Sequence, residues 1–522
     1  MTARTLARAG AIVVAAYLGS RVLGWLRLVV IGNLFGAQAD LDAYFAAFRI
    51  PDLIYQLVAA GAVSSSLIPV LAGLLHQDER ARAFRVVSTV LNAMLIVLIG
   101  FSLVMAIFAP VLVPLLVPGF DVPSTELTVR LTRIMLVSPI LLAAGAVASS
   151  VLNAEGRFGA AAAAPLLYNL AIIGAALVLS PALGIDSLAV GVVLGSALHV
   201  AIQVPAVRRR MNYDLVLDLK DAAARQVLRL MVPRSIGLGA NQITFIVNTT
   251  LASTVAAGAV SVYTIAFTIF LIPVGVIGMP LGVLLLPSLS RAVAAGDVRG
   301  FGSLLVGAIR MLVVVMFFFT AVGIVVSRQV VELLFGYGAF DIPALDLTAE
   351  TLVVFLAGLA ASSLCVVLAR AFYSGQDTTT PVVGVVISVT VNVLVSVATV
   401  GQLGLVGLAL GVALGDWVEA VFLVVLLRRR VPSLGMGSFM GIIPIVAAGA
   451  ALAGIAAYGV MRTSDALMLA TYGKPGILAQ VLLATAAGAA VYLLYTRLVR
   501  LPELPRAIAL LRDSIGKRGS PG

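Results

Sequence analysis

The chain has 522 residues, 61% of them hydrophobic and only 11% charged, with a mean hydropathy of +1.13. No water-soluble core absorbs that much apolar surface, which excludes a soluble enzyme or nucleic-acid-binding module and requires a polytopic protein held in a lipid bilayer. The formal charge of +11 sits on basic residues that punctuate the apolar runs, a pattern that reports orientation in a membrane and no nucleic-acid partner.

At about 20 apolar residues per span there is room for some fourteen helices. They fall at about 11–31, 40–75, 84–114, 127–151, 160–181, 187–206, 227–256, 259–290, 301–327, 347–373, 380–400, 404–427, 438–461 and 476–496. The first run contains Arg21 and Arg27 and lacks a clear cleavage site, so it reads as a retained helix rather than a signal peptide. The second contains Arg49, Pro51 and Asp52. An arginine near the bilayer centre costs roughly 2.5–3.5 kcal/mol on insertion scales, so three in two neighbouring helices need a partner, a wet cavity or an anionic ligand.

Arg21 and Arg27 lie about 120° apart around a helix, so both border a wide cavity but not one narrow seam. Guanidinium groups gathered there suit a pyrophosphate, which accepts bidentate hydrogen bonds and stays charged at neutral pH. The competing reading pairs Arg49 with Asp42 or Asp52 and lets Arg27 snorkel to an interface. Asp52 follows Arg49 by three positions and forms a helical salt bridge with it unless Pro51 breaks the turn.

Further along, Arg80, Arg82 and Arg85, Arg157, Arg208 to Arg210, Arg291 and Arg299, and Arg428 to Arg430 fall in alternate loops. The opposite loops carry acids and few bases, with Arg130, Arg133, Arg328, Arg462 and Lys474 as exceptions. Retention of bases on the cytoplasmic side then places both termini in the cytoplasm.

A repeat shows at an offset of about 220 residues: SVLNAEGRFGAAAAAP from Ser150 matches ARAFYSGQDTTTP from Ala369, and AYFAAFRIP around Arg49 overlays VYTIAFTIF around Thr268. The predicted fold is therefore all-α, two six-helix lobes related by a pseudo-twofold axis along the membrane normal, plus two C-terminal helices. The divisions are 1–210 for the first lobe, 211–226 for an amphipathic cytoplasmic linker, 227–430 for the second lobe, 431–500 for spans 13 and 14, and 501–522 for a basic cytoplasmic tail. Pro51 in span 2, and Pro273, Gly275, Gly278, Pro280 and Gly282 in span 8, place helix breaks where a cleft between lobes needs them.

Other polar residues carry less. His199 reads as a packing histidine, His76 as solvated, Asn169 and Asn392 as interhelical hydrogen bonders, and Arg234 and Arg310 as orienting charges. Asp416 and Glu419, one turn apart in span 12, either hold a coupling cation or proton, or pair with a neighbouring arginine. No Walker A, HExxH or Gly-x-Ser-x-Gly element occurs, so no catalytic residue is assigned and direct ATP-driven pumping is not expected. The single Cys365 makes an internal disulfide impossible, and no metal site is expected.

Together SRVLGWLR, FGAQADLDAYFAAFRIPDL, LNAEGRF, PLGVLLLPSLSR and RAFYSGQDTTTP resemble the MurJ (MviN) family of lipid II flippases, over about residues 15–430. The resemblance implies the multidrug/oligosaccharidyl-lipid/polysaccharide exporter fold and a central cavity that alternates between membrane faces. It also implies a role in peptidoglycan synthesis in the bacterial cytoplasmic membrane, with contacts to the cell-wall synthesis machinery. By it, Arg21 and Arg27 stand at the family's two cavity arginines of span 1, and Asp42 at its acid at the start of span 2. Five positions depart from the family pattern: Leu28 follows the second arginine in place of an acid, Tyr55 replaces an arginine, Ala60 a glutamate, and Phe267 and Thr268 an Asp-Arg pair.

The expected substrate is a polyprenyl-pyrophosphate-linked glycan, lipid II in the first instance, held at Arg21, Arg27, Arg49, Asp42, Asp52, Tyr55 and Thr268. The alternatives are a flippase for another polyprenyl-linked glycan and a cation-coupled drug exporter. No cofactor is expected beyond a coupling Na+ or H+; the membrane potential alone favours outward movement of an anion by about 2.3 kcal/mol per charge per 100 mV.

Overall fold

The computed structural model describes residues 3–58, 62–431 and 436–501, with side chains from residue 15 onward except 62, 232–241 and 436–440. Ala60, the side chain of Arg234, and the basic tail with Arg506, Arg512, Lys517 and Arg518 lie outside the described residues. Every described element is helical.

The first compact unit comprises residues 1–261 and 338–340. Its helices are α1 (Ala3–Phe35), α2 (Ala39–Ala47), α3 (Arg49–Val58), α4 (Ala62–His76), α5 (Arg80–Leu116), α6 (Val122–Met135), α7 (Ser138–Ala154), α8 (Phe158–Leu183), α9 (Asp186–Ala201), α10 (Val204–Arg208) and α11 (Ala222–Ser253). The seventh expected span, α11, packs on α3, α4 and α5, and so belongs to this unit by compactness.

α5 shows how a bilayer shapes such a helix. Val86, Val90, Met94 and Leu98 are buried on one side, while Ile96, Ile99, Leu103, Ile107, Val111 and Leu115 are exposed at helical spacing on another. Both stripes are apolar, because one meets protein and the other hydrocarbon.

The second span breaks where Pro51 demands it. α2 stops at Ala47 and α3 begins at Arg49, since the proline ring cannot share space with the carbonyl four residues back and has no N–H to donate. Arg49 thereby opens a new helix instead of extending the old one.

The second unit comprises residues 262–337 and 341–522. α12 (Ala259–Pro273) leads into it, followed by α13 (Met279–Ala294), α14 (Val298–Phe335), α15 (Ile342–Ala357), α16 (Leu359–Ser374), α17 (Thr379–Leu403), α18 (Leu405–Arg430), α19 (Met436–Ala466) and α20 (Lys474–Leu498). α12 and α13 are joined by a π-helical turn, Val274–Gly278, bounded by Pro273 and Met279-Pro280. Such insertions accommodate proline within a continuing span.

Among the described residues, twelve helical segments are long and apolar enough to cross a membrane, and thirteen if the bent pair Ile342–Ala357 and Leu359–Ser374 counts as one more. The expected seventh span, α11, is a 32-residue helix but is not in that set.

The repeat is visible in backbone detail. Asp121 caps α6 through the Ser124 N–H at 3.0 Å, and Asp341, 220 positions on, caps α15 through the Ala344 N–H at 3.0 Å. Gly156 and Gln376 share a left-handed turn (φ +73° and +61°), as do Gly184 and Gly404 at φ +55° each. Equal turns at equal offset identify two copies of one helical plan.

Candidate binding site

Each of the three arginines anticipated at hydrocarbon depth lies against an aromatic ring within the first unit. Arg21 donates from Nη2 to the Tyr17 hydroxyl at 2.9 Å, with its guanidinium 5.3 Å from that ring's centre. Arg27 lies 5.9 Å from the ring centre of Tyr168 on α8. Arg49 lies 5.2 Å from that of Phe245 on α11, and its Nε donates to Thr249 Oγ1 at 2.9 Å. A ring face holds a guanidinium by about 0.5–2 kcal/mol depending on desolvation, without consuming its five donors.

Around these groups the structure gathers several of the anticipated residues. Tyr168 is at once the electrostatic neighbour of Arg27, Tyr44, Asp52 and Tyr55. Asp52 in turn neighbours Arg49, with the side-chain amides of Gln56 and Gln242 at hydrogen-bonding reach. Of the two acids that the sequence offered to Arg49, Asp52 is the one beside it. α8 and α11 bring the missing components, Tyr168, Gln242, Phe245 and Thr249, from more than 100 residues away in the chain. No local pattern marks them; only Tyr17, one turn before Arg21, was within reach of a sequence argument.

Asp42 stands apart from this group. It is fully enclosed, and its carboxylate accepts the backbone N–H of Gly258 (2.7 Å), the backbone N–H of Ser261 (2.7 Å) and the Ser261 hydroxyl (2.6 Å). The acid anticipated near the substrate holds the first turn of α12.

Thr268 lies in the second unit and donates its hydroxyl back to the Thr264 carbonyl at 2.7 Å. Its neighbour Phe267 joins Tyr263, Phe270 and Phe355 in an aromatic cluster with ring centres 5.4–6.1 Å apart. Leu28, on α1 directly after Arg27, is half-buried. Asp416 and Glu419 lie on α18 of the same second unit. The Cys365 thiol reaches the Asp416 carbonyl at 3.5 Å, and Cys365 is an electrostatic neighbour of both carboxylates. Ser362 reaches the Asp416 carboxylate, Tyr373 neighbours both Glu419 and Arg370, and Glu419 lies against Gly384 of α17. Among the described residues neither acid forms an ion pair.

The remaining polar residues are structural. His199 packs against Gly145, and Asn169 bonds the carbonyls of Pro165 and Ser20. Asn392 bonds Ser396 of its own helix instead of a neighbouring one.

A helix-only architecture among the described residues, a duplicated helical plan and guanidinium groups set against rings in apolar helices together define a polytopic membrane protein built from two copies of one plan. The profile of the family described as "Lipid II flippase MurJ" matches residues 31–473. The chain belongs to the MurJ family.

Its relatives include the lipid II flippase MurJ of Burkholderia cenocepacia, 32% identical over 461 residues, covering 84% of this chain and 86% of that protein. The probable lipid II flippase MurJ of Rhizobium tropici is 30% identical over 425 residues, covering 80% and 79%. Among solved structures, a lipid II flippase MurJ in an inward closed conformation superposes with a TM-score of 0.78 at 21% identity, covering 94% of this chain and 98% of that one. An inward-facing multidrug resistance MATE family transporter gives 0.68 at 17% identity, covering 80% and 95%. At these identities the two structures speak for the fold.

Proposed function

We propose that this chain is a flippase that carries lipid II, the undecaprenyl-pyrophosphate-linked peptidoglycan precursor, from the inner to the outer leaflet of the bacterial cytoplasmic membrane by alternating access. The observation that carries the reading is the set Arg21, Arg27 and Arg49, each laid on a ring within apolar helices. Pyrophosphate is the headgroup whose charge and bidentate geometry repay keeping guanidinium groups there. The polyprenyl tail stays in lipid while the headgroup crosses. Both termini face the cytoplasm in this reading, and the cell-wall synthesis machinery receives the product.

The membrane potential drives the anion outward. Coupling to Na+ or H+ through Asp416 and Glu419 adds to it, and replacement of both by Asn and Gln removes any dependence of transport on the cation gradient. A potential-only mechanism leaves the double variant indistinguishable from wild type.

The decisive experiment is rescue of a strain depleted of its lipid II flippase. The wild-type chain restores growth, and Arg21→Ala reaches the membrane in equal amount without restoring it. Rescue by Arg21→Ala removes the assigned role. A second reading, transport of another polyprenyl-linked glycan, is favoured by the neutral Tyr55 and Thr268 at positions where the family carries arginine. In that case the wild-type chain itself fails to rescue, while the other lipid-linked glycan accumulates in the inner leaflet when the chain is removed.

A further inference from the structure

A cavity of about 830 Å3 lies wholly within the first unit, between α5, α7, α9, α10 and the segment that follows α10. Its walls are apolar: Val147, Val151, Val200, Val204, Val207 and Met211. Its polar lining comes from one stretch of chain, Arg208 and Asn212 to Asp214. That volume falls within the roughly 300–1,000 Å3 of ordinary ligand sites.

The expected amphipathic linker forms the outer wall as an irregular segment. Residues 211–218 form no regular secondary structure, and polar side chains of α5 supply their hydrogen-bond partners. Asn92 Nδ2 donates to the carbonyls of Asp214 (3.2 Å) and Val216 (2.8 Å), and the Tyr213 hydroxyl donates to Asn92 Oδ1 (2.6 Å). Backbone N–H groups of Asp214 and Asp218 donate to Ser88 Oγ and Thr89 Oγ1, each at 3.2 Å. Arg85 and Arg82 then clasp Asp218 and Asp221 at 3.5 and 2.8 Å. The wall is fastened along its length.

Along this segment Leu215, Leu217 and Leu219 are left outward, 90%, 48% and 47% exposed. Leucines in that arrangement, beside the run Arg208 to Arg210, suit the boundary between headgroups and acyl chains. The flanking helices continue into the bilayer with exposed Ile96 on α5 and Leu194 and Leu198 on α9.

We propose that this cavity holds an anionic glycerophospholipid of the leaflet next to Arg208, with an acyl chain among the valines and the phosphate at the Arg208 guanidinium. Charge decides the class of lipid: Arg208 lines the cavity, Asp214 is the one carboxylate among the lining residues, and Arg209 and Arg210, exposed like Arg208, follow it in the chain. Apolar walls that run into hydrocarbon-facing surface decide that it is a lipid and not a soluble anion. The site is independent of the transport reading, since it uses none of the residues assigned there.

The test is native mass spectrometry of the delipidated full chain titrated with phosphatidylglycerol or phosphatidylcholine, alongside thermal stability in detergent. The wild-type chain retains phosphatidylglycerol in preference to phosphatidylcholine by about fivefold, the effect of one basic residue at a charged surface. Arg208→Gln removes the preference while both lipids still bind. Val204→Trp fills the cavity and abolishes retention of both; Ala148→Trp does the same from α7 and serves if Val204→Trp does not fold. Equal retention of the two lipids by wild type, or unchanged retention in a folded cavity-filling variant, overturns the proposal. So does stabilisation by inorganic phosphate equal to that by phosphatidylglycerol, or displacement of phosphatidylglycerol by purified lipid II at equimolar concentration.

Discussion

Ser261 presents both its backbone N–H and its hydroxyl to Oδ1 of Asp42, at 2.7 and 2.6 Å, while Oδ2 accepts the N–H of Gly258. Residues more than 200 positions apart in the chain are tied by one carboxylate. A helix start has unsatisfied N–H groups, and a side chain from elsewhere in the fold supplies the acceptor.

Asp42→Ala therefore leaves three buried donors without an acceptor. The expected loss is about 2–4 kcal/mol of stability, the penalty for orphaning buried donors to a charged group. It appears as a lower melting temperature of the purified protein in detergent. Asp42→Asn, which keeps one acceptor oxygen, falls between the two. A melting temperature unchanged in Asp42→Ala contradicts the capping role.

Gly258 sits at φ +86°, and a Cβ there would land on the Ala37 carbonyl. Gly184, at φ +55°, has open space around the same position. Gly184→Ala thus meets only backbone strain, at φ +55° and ψ −135°, about 1–3 kcal/mol, whereas Gly258→Ala must also push one loop off another. Thermal denaturation should rank Gly258→Ala well below Gly184→Ala, and equal effects exclude the clash.

Thr249 positions Arg49 through a single hydrogen bond and Phe245 through its ring. Thr249→Val removes an acceptor worth about 1 kcal/mol, roughly a fivefold effect. Arg49→Lys keeps the charge but loses the planar fork and the stacking, and Arg49→Ala loses everything. Headgroup translocation in proteoliposomes is expected to fall about fivefold in Thr249→Val, further in Arg49→Lys and furthest in Arg49→Ala, with all three inserted normally.

Asp377 lies in the turn before α17. Partial burial pulls its carboxyl upward, but the Thr380 hydroxyl and N–H and the Arg430 guanidinium outweigh that and hold it at about 2. A carboxyl depressed in the folded state contributes stability that is complete above its unfolded pKa, near 3.9, and is lost as pH falls toward the folded value. Asp377→Asn should therefore melt below wild type at pH 6, and the gap should close between about pH 4 and pH 2. A gap that persists at pH 2 assigns the effect to something other than the charge.

Much of the architecture was legible in order along the chain, because hydropathy and helical spacing are properties of neighbouring residues. Most of the span positions, the break at Pro51, the breaker-rich segment around Gly278 and the 220-residue duplication follow from such local patterns. α11 is the instructive case: its sequence places it with the second copy of the repeat, but its packing on α3, α4 and α5 places it with the first compact unit. Linear order and contact are different quantities.

The sequence by itself determined that three arginines would be carried into apolar helices, and that they would need company there. Only the tertiary structure decided whose. Tyr168, Phe245 and Thr249 reach Arg27 and Arg49 from helices folded back beside them, and Asp42 turns from a presumed ligand contact into the cap of α12. The reason is physical: periodicity constrains which face of a helix is apolar, whereas a hydrogen bond or a ring contact depends on which two faces packing brings within a few ångströms.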